Sequence, residues 1–182
     1  MKNFYLVALL ILCHLAMGQS RMVAKQIEDF NSKNLKFENF NLFTKSVDQK
    51  SAKYRSSASD VSVLDLNESE LFDLVRQAPN LIQISVPYQD ETIEVQLYKQ
   101  NVLTDDFKIV DESGNYHDYT PGKYYRGIVS GDETSLVALS FFKDNVIGVI
   151  SSNDKGNVVV GKSTDREDYI SYSDRNLMGE NP

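Results

Sequence analysis

The amino-acid sequence predicts a mainly β fold, an antiparallel meander or sandwich-like sheet with one short helix. Apolar and polar residues alternate with period two in several segments from Leu81 onward. Short polar tetrads rich in Gly, Asp and Asn separate these segments, as turns separate the strands of a meander. The helix is placed before the meander because Asn67 and Glu70 form a capping-box pattern ahead of apolar residues at helical spacing.

The first 18 residues have the features of a secretory signal peptide. Lys2 supplies a positive charge, Tyr5 to Ala16 form an apolar run, and small residues precede a cleavage site between Gly18 and Gln19. The run is shorter than the about 20 apolar residues that a membrane-spanning helix needs. We therefore expect a secreted, extracellular chain that makes no membrane contact after signal cleavage.

Charge and cysteine usage exclude several functions for the remaining 164 residues. Lys2 leaves with the signal and no acidic residue does, so the formal net charge moves from −7 to −8. Nucleic acids and anionic membranes demand clustered Lys and Arg and are not expected as partners. Cys13 is the single cysteine and lies in the signal, so the mature chain can form neither a disulfide framework nor a thiolate zinc site. No cofactor is expected in this chain.

Residues 19–60 are predicted to form an N-terminal arm and a polar linker. Met22, Val23, Ile27 and Phe30 have helical spacing, but only over about two turns. The Phe-rich segment Leu35–Phe43 is interpreted as a strand or arm packed on the main domain, or as a segment that docks on a partner. Residues 44–60, rich in Ser and Lys, are the linker.

The main β-domain is predicted over residues 61–172, with a C-terminal linker at 173–182. It opens with a short strand at Val61–Leu66, followed by the helix that begins at Asn67 and ends before Pro79. The predicted meander strands are 81–87, 92–98, 107–110, 116–119, 124–130, 135–142, 146–152 and 158–163.

The strand Ser135–Phe142 is apolar in both of its alternating sets of side chains, so we expect it to be covered on two sides. One set comprises Leu136, Ala138 and Phe142, and the other comprises Val137, Leu139 and Phe141. Gly127 and Gly148 fall inside predicted strands, which indicates a bulge or a close approach of a neighbouring backbone.

A search for catalytic and metal-binding patterns predicts no such site. His117 is the single histidine after residue 18, and an exposed loop histidine is favoured over a member of a Ser-His-Asp triad with Asp118. The chain has no His-Glu-x-x-His pair, no Gly-x-Ser-x-Gly elbow and no phosphate-binding glycine loop. The acidic pairs at 105–106, 111–112 and 132–133 lack calcium-site spacing and are interpreted as turn carboxylates.

One stretch resembles a known family. The run Tyr-Arg-Gly-Ile-Val-Ser-Gly-Asp at 125–132, followed by Ser-Leu-Val-Ala-Leu-Ser at 135–140 and Val-Ile-Gly-Val-Ile at 146–150, is similar to propeptides of reprolysin (adamalysin-type) zinc metallopeptidases of the bacterial secreted type. The resemblance extends over about Val61 to Tyr172. Its motif positions, expected to be scaffold residues, are Tyr125, Gly127, Val129, Gly131, Ser135, Val137, Ala138, Leu139, Ser140 and Gly148.

The resemblance implies a non-catalytic domain that assists the folding of a zinc metallopeptidase and holds it latent. The expected partner is a metallopeptidase catalytic domain, in cis or in trans, and this chain is then a truncated precursor or a stand-alone propeptide. Family members often bind the catalytic zinc through a propeptide cysteine, which the mature chain lacks, so latency would depend on another ligand or on steric cover. The alternative is a stand-alone extracellular β-rich binding or structural domain with no protease partner, and a secreted hydrolase is a remote third.

Overall fold

The computed structural model describes residues 18–47, 54, 58–164 and 168–178, and the mainly β class is confirmed. Two α-helices lie in this part of the chain, α1 (Gly18–Ser32) and α2 (Glu68–Gln77). The strands are β1 (Glu38–Phe40), β2 (Phe43–Lys45), β3 (Val61–Leu66), β4 (Leu81–Tyr88), β5 (Glu91–Gln100), β6 (Ile109–Val110), β7 (Tyr116–His117), β8 (Lys123–Val129), β9 (Asp132–Phe141), β10 (Val146–Ser152), β11 (Gly156–Lys162) and β12 (Tyr169–Ser173).

Ten of these strands form one sheet in the order β1-β4-β5-β8-β9-β10-β11-β12-β3-β2, and β6 pairs with β7 separately. All neighbours in the large sheet are antiparallel except β1 and β4. The hairpins predicted from period-two alternation are present, although the turn between β8 and β9 is shorter than expected and consists of Ser130 and Gly131.

The segment 38–45 closes this sheet. β1 and β2 are its outermost strands, and only Asn41 and Leu42 separate them in the chain. β1 pairs with β4 at one edge and β2 pairs with β3 at the other, so the sheet curls until its two edges are joined by one short segment. Among the described residues, this leaves no edge strand of the large sheet longer than three residues, which limits pairing with other chains.

The interior of the curled sheet is a packed apolar core. The Phe-rich segment contributes Phe40, Leu42 and Phe43 to it, so the interpretation that this segment packs on its own domain agrees with the structure. Each fully buried side chain of this kind contributes about 2 kcal/mol to stability. The core residues come from most strands of the sheet and include Leu64, Ile82, Ile84, Val86, Val95, Leu97, Tyr125, Val137, Leu139, Phe141, Val146, Ile150, Val158 and Val160.

Helix α2 also packs into this core, through Leu71 and Leu74. As predicted, Asn67 caps the start of the helix, and its Oδ1 accepts a hydrogen bond from the Glu70 backbone N–H at 3.2 Å. The Glu70 carboxylate does not complete the capping box, because it accepts instead from the backbone N–H of Asn41 at 3.3 Å. That contact joins α2 to the closing segment.

Helix α1 is a second helix that the sequence pattern did not establish. It extends over 15 residues, and its buried Val23, Ala24 and Ile27 pack on the outer face of the sheet in one cluster with Tyr98 of β5 and Ile128 of β8. The N-terminal arm is therefore packed against the β-domain along its length from α1 to β2. Gly18 and Gln19 form the beginning of α1, while the rest of the predicted signal peptide lies outside the described residues.

The expectation that β9 is covered on both faces is confirmed only in part, because α1 lies against β9 but leaves some of its outward face exposed. Val137 and Leu139 are buried in the core, but Ala138 is exposed and Leu136 is 39% exposed. Helix α1 lies against β9 as well as β8 and β5. The buried cluster beneath it takes its sheet residues from β5 and β8, and part of the outward apolar surface of β9 stays exposed.

The expected C-terminal linker at 173–182 is structured as far as residue 178. Ser173 ends β12, which inserts between β11 and β3, and a 3-10 helix follows at Asp174–Asn176. The Arg175 guanidinium donates to the backbone carbonyls of Asp154 at 2.7 Å and Asn153 at 3.1 Å. Residues 179–182 lie outside the described ones. Within the described part of the chain, no helix has the length and apolar character that crossing a bilayer requires.

Candidate functional site

The motif residues of β8, β9 and β10 lie in the wall of the curled sheet. Tyr125 is buried, its ring meets the Phe141 ring edge-on with centroids 5.5 Å apart, and its hydroxyl donates to the Pro79 carbonyl at 2.7 Å. Burial raises the pKa of the Tyr125 phenol, so this group stays a neutral donor that ties β8 to the chain after α2.

Two of the motif glycines permit close approach of backbones. A Cβ on Gly127 would lie 1.8 Å from the Gln96 carbonyl oxygen, and one on Gly148 would lie 2.2 Å from the Ala138 carbonyl oxygen. Any other residue would push β8 away from β5, or β10 away from β9. Gly131 differs, because its φ of 81° requires glycine for the tight turn rather than for space.

Ser135 holds a β-bulge between β8 and β9. The register shifts between Gly127 and Val129, and the fully buried Ser135 hydroxyl accepts from the Val129 N–H at 2.8 Å and donates to the Asp132 carbonyl at 2.6 Å. These two bonds replace the pairing that the bulge interrupts.

The other motif positions are also parts of the wall. Val137 and Leu139 face the core, Ala138 faces outward and pairs with Arg126 and Val149, and Ser140 pairs with Tyr124 and Ile147. The ten motif residues thus present packed apolar groups, tight backbone contacts and the hydrogen-bonded hydroxyls of Tyr125 and Ser135, and they do not converge on a reactive group. This region positions other parts of the molecule.

The most exposed apolar surface lies elsewhere, on the segment between β5 and β8. We call residues 101–122 the arm; it leaves the sheet after Gln100, contains the two-residue strands β6 and β7, and returns at Lys123. Its exposed large apolar residues are Val102, Phe107, Ile109, Val110, Tyr116 and Tyr119. Six exposed apolar residues within a segment of 22 make the arm a candidate surface for contact with another molecule.

A hydrogen-bonded turn orders the tip of the arm. The Asp111 carboxylate accepts from the backbone N–H groups of Ser113 at 2.9 Å and Asn115 at 2.8 Å, and from the Asn115 side-chain amide at 3.0 Å. His117 Nε2 lies 3.1 Å from the same carboxylate. The bonds from Asn115, then from His117 and Ser113, lower the pKa of Asp111 to about 2, so the tip carries a fixed negative charge at neutral pH.

This geometry does not support a catalytic histidine. His117 contacts Asp111 rather than the neighbouring Asp118 named in the triad hypothesis, and it is exposed on the arm. Within residues 18–47, 54, 58–164 and 168–178, no three His, Cys, Asp or Glu side chains group in a way that could hold a metal ion. Asp132 instead accepts from the Thr134 backbone N–H at 2.9 Å and from its hydroxyl at 2.6 Å, as a turn carboxylate does.

A row of aromatic rings connects the arm to the sheet. Phe107 and Tyr119 have ring centroids 5.6 Å apart, and the hydroxyls of Tyr119 and Tyr124 lie 3.1 Å apart. Tyr124, the second residue of β8, meets Phe142 edge-on at 6.2 Å. The hydrogen bond with Tyr124 is the main cause that raises the pKa of Tyr119. The contacts place a cleft of about 960 Å³ between the arm and the adjoining ends of β5 and β8.

Sequence reasoning predicted the hairpin within the arm but did not single it out as a functional site. Strand alternation alone does not distinguish a hairpin inside a sheet from one that stands apart from it. The available signal was composition, since the arm combines its apolar residues with five carboxylates and only one lysine. Comparison with known proteins adds no assignment: no protein-family model matches the chain, and no curated protein matches it significantly.

Proposed function

We propose that this chain is a secreted, non-catalytic propeptide-like domain that assists folding of a zinc metallopeptidase and holds it latent by covering its cleft with the arm. The observation that supports the proposal is the projection of an exposed, aromatic arm from a tightly packed sheet. A rigid base and a protruding apolar segment are what steric occlusion of a cleft requires.

The arm is favoured over a strand edge as the contacting element. Edge pairing needs an accessible strand, and the described edges of the large sheet are the three-residue β1 and β2. The arm offers Phe107, Val110 and Tyr116, which are exposed side chains of the kind that fill pockets at the centre of interfaces. Its hydrogen-bonded tip reduces the entropy that would be lost on binding.

The topology also constrains how a protease in cis would be reached. The arm lies at the end of the sheet where β8 begins, and that end also holds the start of β12, because Lys123 pairs with Phe141 and Lys162 pairs with Tyr169. Ser173, four residues along β12 from Tyr169, therefore lies toward the opposite end, about 13 Å away along the strands, and the 3-10 helix follows it. A protease fused after residue 182 would need several extended linker residues to present its cleft to the arm, and one bound in trans would not.

The test is inhibition of a metallopeptidase encoded in the same gene or beside it. Purified protein is added to the active protease, and the rate of peptide cleavage is measured against a variant whose residues 102–121 are replaced by a short Gly-Ser turn. We expect inhibition by the intact chain and none by the arm-shortened variant, with unchanged far-ultraviolet circular dichroism. Absence of inhibition at micromolar concentration, or equal inhibition by the two proteins, contradicts the proposal.

The second candidate function is a stand-alone extracellular binding domain without a protease partner. The cleft beneath the arm favours it, since a concave surface with rings and a few charged groups is the usual form of a ligand site. If no metallopeptidase is encoded in frame with this chain or beside it, the binding-domain function is favoured over the propeptide function.

A further inference from the structure

The cleft beneath the arm has a charge pattern that differs from the rest of the chain. Three lysines line it, Lys99 from β5, Lys108 from the arm and Lys123 from β8. Asp105 and Asp118 also line it, but neither carboxylate lies within ion-pair distance of a lysine among the described residues. A chain of formal charge −7 thus has three ammonium groups around one cleft, and no carboxylate of the described residues is bound to any of them.

The contacts of these lysines leave most of their donors available. Lys99 Nζ donates to the Ala78 carbonyl at 2.9 Å, and Lys108 Nζ stands 5.2 Å from the centre of the Tyr116 ring. Lys123 is half-buried and makes no hydrogen bond or ion pair with any other described side chain. By contrast, the half-buried Lys155 forms ion pairs with two carboxylates, Glu91 at 2.8 Å and Asp154 at 3.1 Å.

A ligand carboxylate would supply the missing partner. Lys123 is half-buried whereas Lys99 and Lys108 are exposed, and an anion in the cleft would be attracted to all three positive charges. A charge-assisted hydrogen bond between ammonium and carboxylate is about twice as strong as a neutral one. The observed cleft therefore favours anionic groups over neutral or cationic ones.

The walls of the cleft favour apolar side chains next to those anionic groups. Phe107, Tyr119 and Tyr124 line it together with Ile109 and Tyr116. The Phe107–Tyr119 pair and the Tyr119–Tyr124 hydrogen bond hold rings from the arm and from β8 beside one another. Such a surface accepts aromatic side chains in edge-to-face contact.

Backbone groups decide between a peptide and a charged polysaccharide. β6 and β7 pair with each other and with no other described strand, and Ile109, Tyr116 and His117 of these strands line the cleft. Each of these two-residue strands therefore has a short outer edge, whose backbone N–H and C=O groups can add to the side-chain contacts of an extended peptide but would not bind it alone. A sugar chain has no matching ladder of donors and acceptors.

We propose that the cleft between the arm and the ends of β5 and β8 binds an extended peptide segment in which carboxylate side chains adjoin aromatic ones. Lys108 and Lys123 bind the carboxylates, the rings of Phe107 and Tyr119 contact the aromatic side chains, and the outer edge of β6 or β7 pairs with the peptide backbone. The proposal goes beyond protease inhibition and holds for either candidate function, because peptide binding depends on Lys123 of β8, which the proposed occlusion by the arm does not use.

The test uses the blocked peptide acetyl-Glu-Phe-Glu-Trp-Glu-amide and its matched form with Gln at every Glu. The chain has no tryptophan, so the peptide's own fluorescence anisotropy reports binding. We expect the Glu peptide to bind at least about tenfold more tightly than the Gln peptide, as the loss of a single charge-assisted hydrogen bond would predict. Binding of the Glu peptide should weaken as salt is raised, because the contacts are only partly buried.

Variants locate the site. Lys123→Met should weaken binding of the Glu peptide about tenfold, whereas Lys25→Met, the same charge change on exposed α1, should change it less than about twofold. Lys123→Glu should reverse the preference and favour a peptide with Lys in place of Glu. Because Lys123 has no partner within the described chain, we expect these variants to keep the circular dichroism and melting temperature of the parent.

Three results would overturn the proposal. Equal affinity for the Glu and Gln peptides would show that carboxylates are not recognised. Equal loss in Lys123→Met and Lys25→Met would show that net charge, and not this cleft, attracts the peptide. Binding of polygalacturonate that depends on Lys123, with no binding of either peptide, would assign the cleft to an acidic polysaccharide instead.

Discussion

The wall formed by β8, β9 and β10 differs from the arm between β5 and β8 in the burial of its side chains. In the wall, Tyr125, Ser135 and Phe141 are buried, and no buried side-chain polar atom in the described residues lacks a hydrogen-bond partner. In the arm, aromatic rings and charged side chains are exposed to solvent. The strongest sequence pattern therefore marks the region that sets the fold, and the weaker pattern marks the region available for contact. Substitutions in the wall should therefore reduce stability, whereas substitutions in the arm should reduce binding.

The largest effect is expected for Gly127→Ala. Its Cβ would lie 1.8 Å from the Gln96 carbonyl oxygen and 2.9 Å from the Leu97 Cα, so β5 and β8 could not keep their pairing. We expect a loss of about 4 kcal/mol or more in the free energy of unfolding, or failure to fold, measured by urea denaturation.

Gly114→Ala in the arm is the matched control. Gly114 has φ 84° and open space around the site of a Cβ, so alanine there costs only about 1–2 kcal/mol of local backbone strain at the tip. If both variants lost the same global stability, the arm would have to be an integral part of the folded core, and the comparison between wall and arm would fail.

A smaller effect is expected for Ser135→Ala. The change removes the acceptor of the Val129 N–H and the donor to the Asp132 carbonyl at a site with no access to water, which costs about 1–3 kcal/mol. Ser140→Ala is the control, since Ser140 is half-buried in the same strand and has no side-chain hydrogen bond among the described contacts. Equal melting temperatures for the two variants would contradict the role given to the bulge.

Much of this fold could be predicted because it depends on local patterns. Alternation over Leu81–Tyr88 and the Asn67 cap each act within about ten residues, and both are present as predicted. The closure of the sheet could not be predicted, since segment 38–45 must pair with β4 at one edge and β3 at the other. A three-residue strand is too short to show a clear period-two pattern, and its sequence does not indicate its distant partner.

Helix α1 and the cleft beneath the arm were not predicted, because both depend on contacts between distant parts of the chain. α1 is stabilised by burying Val23 and Ile27 on Tyr98 and Ile128, and this tertiary contact outweighs a helical pattern of only about two turns. The cleft combines Lys99, Lys108 and Lys123 from three separate elements, so it has no motif spacing. The composition of the arm was the available indication of this site in the sequence.

Little effect on stability is expected for Phe107→Ala and Tyr116→Ala. Tyr116 is 71% exposed and Phe107 is exposed as well, so each change should alter the free energy of unfolding by less than about 0.5 kcal/mol. Phe141→Ala, which removes a fully buried ring, should cost about 3–5 kcal/mol in the same urea titration. A cost above about 2 kcal/mol for either arm variant would show that the arm supports the core.

The smallest effect is local to the arm tip and depends on pH. The pKa of Asp111 is lowered in the folded chain to about 2 from 3.8, so the stabilisation of the tip is fully present above pH 3.8 and is lost as the pH falls toward 2. The amide resonances of Ser113 and Asn115 should shift with a midpoint near pH 2, ahead of any change at the buried Val137, which serves as the internal reference. In Asp111→Asn this shift should disappear. A midpoint near 3.8, or a shift shared with Val137, would mean that the carboxylate does not order the tip and that the arm gains its shape only from the sheet beneath it.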